Sequence, residues 1–301
     1  MTGGPETLRI AAAAYPLDVL DSWEGYVRKL ETWVAGAAEA GAQLLVFPEY
    51  GSLELATLAG PEVAADLERS LRAVAGLLDK VDALHSALAA RFGVHILGAS
   101  APVFDPAFGP RPANRARLYA PSGPSGAQDK QIMTCFERSP WEVIGGGPLR
   151  LFDTALGRIG VLICYDSEFP LLGRALAEAD ILLVPSCTDT EHGYWRVRLG
   201  TQARALENQC IAVMSSTVGA APWSPAVDVN VGAGGIFAPP DTGFPANGVL
   251  GVGALNAPGW TFADIDLAAI RKVRATGDVR NRAHWPEQAG REGAPEAVCL
   301  R

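Results

Sequence analysis

Short apolar runs that stop abruptly at a charged or sulfur-bearing residue, separated by helix-like stretches, constrain this chain more than any other feature. AQLLVFPEY (42–50), RIGVLICY (158–165) and DILLVPS (180–186) are nearly continuous in apolar residues. Runs of that kind suit strands of a parallel sheet that is covered on both faces. Between such runs the period changes. Residues 21 to 41 carry Trp23, Tyr26, Val27, Leu30, Trp33, Val34 and Ala37 at spacings of three and four, with Asp21 and Glu24 as a capping pair and Gly41 as the stop. This pattern predicts an amphipathic helix.

The alternation continues along the chain. TLRIAAAA (7–14) reads as a buried strand, about 61 to 92 as one long helical stretch, and VHILGAS as a strand, followed by a loop from 101 to 114. RARLYAP is a strand leading into the turn signals PSGPSG, and Lys130 and Glu137 then fall in a loop. After RIGVLICY come a helix at PLLGRALAEA, the strand DILLVPS, a helix at EHGYWRVRLGTQARALENQ, and strands at CIAVMSS and GGIFAP. Repeated strand and helix units of this length predict an α/β protein. With no long linker interrupting the apolar segments, residues 1–301 read as one domain, with a C-terminal extension from about 267.

Composition narrows the partners. A formal net charge of −8 and a pI near 5.1 argue against nucleic acid or an anionic membrane surface, because both would be repelled. No apolar stretch approaches the roughly 20 residues needed to span a bilayer, and the first residues lack the basic start of a secretion signal. Five cysteines without C-x-x-C spacing fit reduced thiols and a cytoplasmic protein better than a disulfide framework. A small molecule is the expected partner. No phosphate-binding loop and no clustered ligand set is present, so neither a nucleotide cofactor nor a metal is expected.

In open α/β sheets, reactive side chains gather beyond the carboxyl ends of strands. Glu49 closes LLVFPE, Cys164 closes GVLIC, and Lys130 lies between them in QDKQIM. Singly, each has a bland reading as a solvated charge or a packing thiol. Together they stand in a fixed order, 81 and 34 residues apart. FPEYGSLEL, DKQIMTCFER and GRIGVLICYDSEFP, followed by ADILLVPSCTDT, RVRLGTQARALENQ and GFPANGVLGVG, resemble the nitrilase superfamily of carbon–nitrogen hydrolases over about residues 7 to 287.

The resemblance implies a four-layer α-β-β-α sandwich, pairing into homodimers or higher homo-oligomers, and a Glu, Lys and Cys acting together. An amide carbonyl is a poor electrophile, so the attacking sulfur must lose its proton and the developing oxyanion must meet donors. Glu49 is the expected base and proton carrier. Lys130 and the backbone N–H of Tyr165 are the expected oxyanion donors, and Glu137 matches a second Glu that many members carry after the Lys. Lys130 and the N-terminus of a helix starting near Pro170 are expected to favour a thiolate on Cys164. Tyr50, Trp141, Glu168 and Thr188 are candidate substrate contacts. Asp166 reads as a structural acid at a helix start.

The activity expected from the resemblance is hydrolysis of a small, ω-amide-like carboxamide to ammonia and a carboxylate, with no cofactor. True nitrilases typically carry Trp after the Cys, whereas here Tyr165 and Asp166 follow. An N-carbamoyl amide hydrolase or a nitrilase is the alternative; a catalytically idle interaction protein and an acyltransferase are further ones. His192, beyond DILLVPS, raises a Cys-His pair as a rival, but Glu49 already supplies a base.

Overall fold

A computed structural model describes residues 7–291 and 293–300. The chain opens with β1 (Thr7–Pro16) and helix α1 (Trp23–Glu39). The helix is capped by Ser22, whose hydroxyl accepts from Gly25 N at 3.1 Å, and not by the expected Asp21, which lies one residue too early. Tyr26, Leu30, Val34 and Ala37 form its buried stripe, and Gly41, at φ 85°, turns the chain out of it. Truncating Leu30 to Ala would cost about 2–5 kcal/mol.

After β2 (Leu44–Val46) comes a 3₁₀ segment, Gly51–Ala59, and then three short helices in place of the single long one expected over 61–92. These are α2 (Pro61–Ala64), α3 (Leu67–Ala75) and α4 (Leu78–Phe92). The first break falls at Asp66, whose carboxylate accepts from Arg69 N and starts a new helix; the second falls at Gly76 and Leu77.

Strands β3 (His95–Leu97), β4 (Ala101–Val103), β5 (Ala113–Tyr119) and β6 (Ser125–Asp129) follow. Lys130 therefore stands at the end of a strand, not within the expected loop, and Glu137 lies on a short helix, α5 (Cys135–Arg138). Next are β7 (Leu151–Thr154), β8 (Gly157–Val161), α6 (Pro170–Ala175), β9 (Ile181–Ser186), α7 (Glu191–Asn208) and β10 (Ile211–Ala220). The chain continues through β11 (Val229–Asn230), β12 (Gly235–Phe237), β13 (Val249–Val252), β14 (Gly259–Asp266), α8 (Leu267–Thr276) and α9 (Asn281–His284).

The strands make one large mixed sheet in the order β4-β5-β3-β2-β1-β10-β9-β8-β7, with β6 against β5 and β14 against β1. β1 is the hinge of this arrangement. On one edge it pairs in parallel with β2; on the other it pairs with β14 along Thr7–Ala14 and then with β10 at Ala14–Pro16. The sheet curls there, so that one set of alternate β1 residues (Leu8, Ile10, Ala12) shares a core with Val161 and Leu183 from the other half. The opposite set (Ala11, Ala13, Tyr15) packs beneath α1, α3 and α4. Helices α7 and α8 add Tyr194, Val197 and Ile270 to the first core. Helices thus flank a folded sheet, the α/β sandwich expected from the sequence. No helix among the described residues is long and apolar enough to cross a membrane.

Candidate active site

The ends of β2, β6 and β8 converge. β2 delivers Glu49 through Phe47 and Pro48, and Phe47 is held by Ser215 Oγ donating to its carbonyl at 3.0 Å. β6 delivers Lys130. Its register on β5 is fixed by Arg115 opposite Asp129, whose side chains form a two-pronged ion pair at 2.6 and 3.0 Å. Asp129 Oδ2 also accepts from Gly147 N, and only a glycine fits at 146, because a Cβ there would lie 2.4 Å from that of Asp129.

The turn that carries Cys164 is held from three sides. Cys164 takes φ 49°, a left-handed conformation that costs a non-glycine residue about 1–2 kcal/mol, and opens a 3₁₀ turn over Cys164–Glu168. Ser167 Oγ donates to the Cys164 carbonyl at 2.7 Å, and Arg204 on α7 donates to the Ser167 carbonyl at 2.7 Å. Gly200 lets α7 come this close, since a Cβ there would meet the Ser167 oxygen at 2.9 Å. Asp166 accepts from Ile163 N, Gln131 N and Ile132 N, so it ties the Cys164 turn to the segment after Lys130. Its role is structural, as its position suggested.

Lys130 Nζ donates to Glu49 Oε1 at 2.7 Å and to Glu137 Oε2 at 2.6 Å, and all three residues are buried. Glu137 does not pair with Arg138 or Arg204. It also accepts from Tyr50 OH at 2.8 Å and from Thr134 N and Oγ1, the Thr134 N–H bond being half of a capping box on α5. Glu49 accepts from Asn114 Nδ2 at 2.9 Å and, through Oε2, from Cys187 N at 3.0 Å. The Cys187 carbonyl in turn lies 3.8 Å from Cys164 Sγ, so one peptide segment touches both the carboxylate and the thiol.

The charges explain the protonation states. Burial pushes Glu49 up to about 7, against the pull of Lys130 and with the push of Glu137. Burial works against the charge of Lys130, but Glu49 and then Glu137 outweigh it and raise its pKa. Glu137 is held low: Lys130 overcomes its burial. Cys164 is pushed well above the usual thiol range by burial and by Glu49, and Lys130 only partly opposes this. Lys130 thus favours the thiolate as expected, but burial and Glu49 outweigh it. Two carboxylates already face one ammonium, and α6 (Pro170–Ala175) begins six residues after Cys164.

The remaining candidates are less central. Trp141 packs on Tyr50 with ring centroids 4.7 Å apart, and its buried indole N–H has no hydrogen-bond partner among the described residues. Thr188 spends its hydroxyl on the Val231 carbonyl at 2.7 Å. Glu168 sits half-buried, 3.5 Å from Arg196, apart from the Lys130 network. The Tyr165 N–H meets no acceptor among the described residues, and its ring lies edge-on to Phe169. His192 is exposed, and the Cys164 thiol faces the Cys187 carbonyl instead. Asn114 and Cys187 are contacts of Glu49 that the sequence reading passed over. For the first, the available signal was its place on the same alternate face as Ala116 and Leu118, opposite Arg115 and Arg117; the second acts through its backbone, which leaves no signal.

Size does not identify this site. Surface clefts of about 580 and 670 Å³, one lined by Asp153, Arg158, Asp180 and Arg274 and one by Glu207, Arg280 and Trp285, include none of these residues. Among the described residues no group of three or more His, Cys, Asp or Glu side chains could hold a metal ion.

The curled sheet and the Glu, Lys and Cys at its strand ends define a protein of the nitrilase-superfamily class. The chain belongs to the carbon-nitrogen hydrolase family, whose model matches residues 9–242. It is 34% identical over 278 residues to "Probable hydrolase YhcX" of Bacillus subtilis, covering 91% of this chain but 52% of that protein, so it spans about half the length of this relative. It is 40% identical over 78 residues to the deaminated glutathione amidase of Yersinia enterocolitica, about a quarter of each chain (25% and 27%). Among solved structures it superposes on Nit3 of Saccharomyces cerevisiae with a TM-score of 0.70 at 20% identity, covering 90% of this chain and 94% of that one. It also superposes on an amidase from Nesterenkonia sp. AN1 with a TM-score of 0.62 at 23% identity, covering 89% and 97%. At those identities the likeness is one of fold.

Proposed function

We propose that this protein hydrolyses the C–N bond of a small carboxamide through a thioester on Cys164, releasing ammonia and a carboxylate. The observation that carries the reading is the placement of Lys130 Nζ between the Glu49 and Glu137 carboxylates, with the Cys187 backbone linking Glu49 to Cys164.

In this reading Glu49 takes the thiol proton as Sγ attacks the amide carbon. The proton moves within the site, so its net charge does not change and no free thiolate has to form beforehand. The carbonyl electrons become an oxyanion, held by the third N–H of Lys130 and by the Tyr165 N–H. The tetrahedral adduct collapses when Glu49 returns the proton to the amine, which leaves as ammonia. Water then attacks the thioester, with Glu49 accepting its proton; collapse restores the thiol and releases the acid. Glu137 holds Lys130 in place, and Tyr50 and Trp141 wall the amide. Glu168 and Thr188 are the outer contacts with substrate.

Tyr165, in place of a Trp after the nucleophile, supports an amide over a nitrile, as do the relatives named as amidases. We further propose a single domain that works as a homodimer or larger assembly in the cytoplasm, supported by exposed Leu171 and Leu199 on α6 and α7. The test is mass spectrometry of wild type and Glu49→Gln incubated with a pool of small amides, N-carbamoyl compounds and nitriles, alongside ammonia release. An acyl adduct on Cys164 from an amide supports the reading; turnover with Cys164 unmodified and dispensable removes it.

A further inference from the structure

Asn114 is fully buried on β5, directly beside Lys130 at the end of β6, and Lys130 N donates to its carbonyl at 2.9 Å. Both side chains reach the same atom: Lys130 Nζ lies 2.7 Å and Asn114 Nδ2 2.9 Å from Glu49 Oε1. The amide orientation follows from this contact. Turning it over would set Oδ1 against a carboxylate oxygen, two acceptors in contact with no proton between them. In the orientation adopted, Oδ1 is buried and meets no hydrogen-bond donor among the described residues.

An orphaned acceptor of this kind makes Asn114 a poor device for stability, because burying it costs about what the bond to Glu49 returns. An apolar side chain of similar size would pack there at little loss. What the residue does supply is asymmetry in Glu49. Oε1 is committed to two side-chain donors, while Oε2 accepts from the N–H of Cys187, the residue whose carbonyl faces the Cys164 thiol.

We propose that Asn114 is a positioning residue for the general base: by occupying Oε1 together with Lys130, it leaves Oε2 as the oxygen that takes the Cys164 proton and keeps Glu49 ionised near neutral pH. This rests on the reading of Glu49 as the base. A donor on a carboxylate favours its charged form, so removing it shifts the titration upward.

The experiment follows alkylation of Cys164 by chloroacetamide as a function of pH, with the Cys164 peptide quantified by mass spectrometry so that the other thiols do not contribute. Wild type, Asn114→Leu, Asn114→Ala and Glu49→Gln are compared, and thermal midpoints are measured in parallel. The smaller Ala variant covers the case in which Leu does not fold. The expected result is an acidic limb moved upward by about one pH unit in the Asn114 variants, the scale of one hydrogen bond to a charged group, with the Asn114→Leu thermal midpoint little changed. If Glu49→Gln loses the limb but the Asn114 variants keep it where wild type has it, the assignment of Asn114 is overturned and the base stands. If Glu49→Gln alkylates with the wild-type profile, the base itself has been misread. A large drop in the Asn114→Leu midpoint with an unmoved limb makes Asn114 a structural residue and also overturns the proposal.

Discussion

The backbone N–H of Ile132 donates to Asp166 Oδ1 at 2.8 Å, binding the segment that follows Lys130 to the turn that carries Cys164. Gln131 N and Ile163 N complete the set, and the carboxyl group is buried. The segments carrying Lys130 and Cys164, remote in sequence, are thereby held at one separation. Asp166→Ala would leave three N–H groups without their acceptor, at about 1–3 kcal/mol for each one that stays dry. The expected outcome is a loss of roughly 2–5 kcal/mol in denaturant unfolding together with a fall in kcat larger than the change in KM. Unchanged stability would show that water or a shifted backbone replaces the carboxylate.

Much of this arrangement was legible in the chain itself. Glu49 and Cys164 close apolar runs, and a buried parallel strand leaves that pattern because both its faces are covered. Lys130 was harder to place. SGAQD has no apolar period, since β6 is held by its ladder to β5 and by Asp129 with Arg115, and so its strand read as loop. The division of 61–92 into three helices was hidden because Asp66 acts through a local cap that periodicity does not register. The upward push on the Cys164 thiol was beyond reach, because it depends on burial first and then on Glu49 set against Lys130, at distances that only the fold sets.

Glu49→Gln is expected to stabilise the protein at pH 8 while removing activity. Glu49 has a folded-state pKa of about 7, raised from 4.5 chiefly by burial, so the folded state binds its proton more tightly than the unfolded chain. Its contribution to stability is complete below the unfolded value and is lost as pH rises through about 7. At pH 8 a neutral Gln avoids that loss, for a gain on the order of 1–3 kcal/mol, and the advantage shrinks as pH approaches 4.5. Thermal unfolding of both proteins across this range is the check; a Gln variant less stable at pH 8 would show that the ion pair with Lys130 outweighs burial.

Cys164 allows its chemistry to be separated from its backbone. Cys164→Ala should abolish turnover yet stay within about 1–2 kcal/mol of wild type, because only a sulfur is lost. Cys164→Gly should be equally inactive but more stable than the Ala variant by about 1 kcal/mol, since φ 49° is a conformation glycine adopts without penalty. At an ordinary site the order is reversed. Denaturation midpoints of the two inactive variants decide whether the nucleophile turn holds its residue under strain.

Lys130→Met removes the one cation from a buried cluster of two carboxylates, with two separable consequences. The oxyanion loses a charged donor, which should lower the rate by at least ~100-fold. Glu49 and Glu137 lose the charge that kept both ionised, so one of them takes up a proton, and the cost of breaking a buried pair is about 3–5 kcal/mol. That cost should be smaller at pH 5 than at pH 8, because Glu49, the carboxylate already raised to about 7, is neutralised at the lower pH. Met supplies similar length without charge, so packing is largely kept and a stability difference that depends on pH reports the electrostatic part. A near-normal rate in this variant would take Lys130 out of the chemistry and leave it as the counterion that lets two acids be buried together.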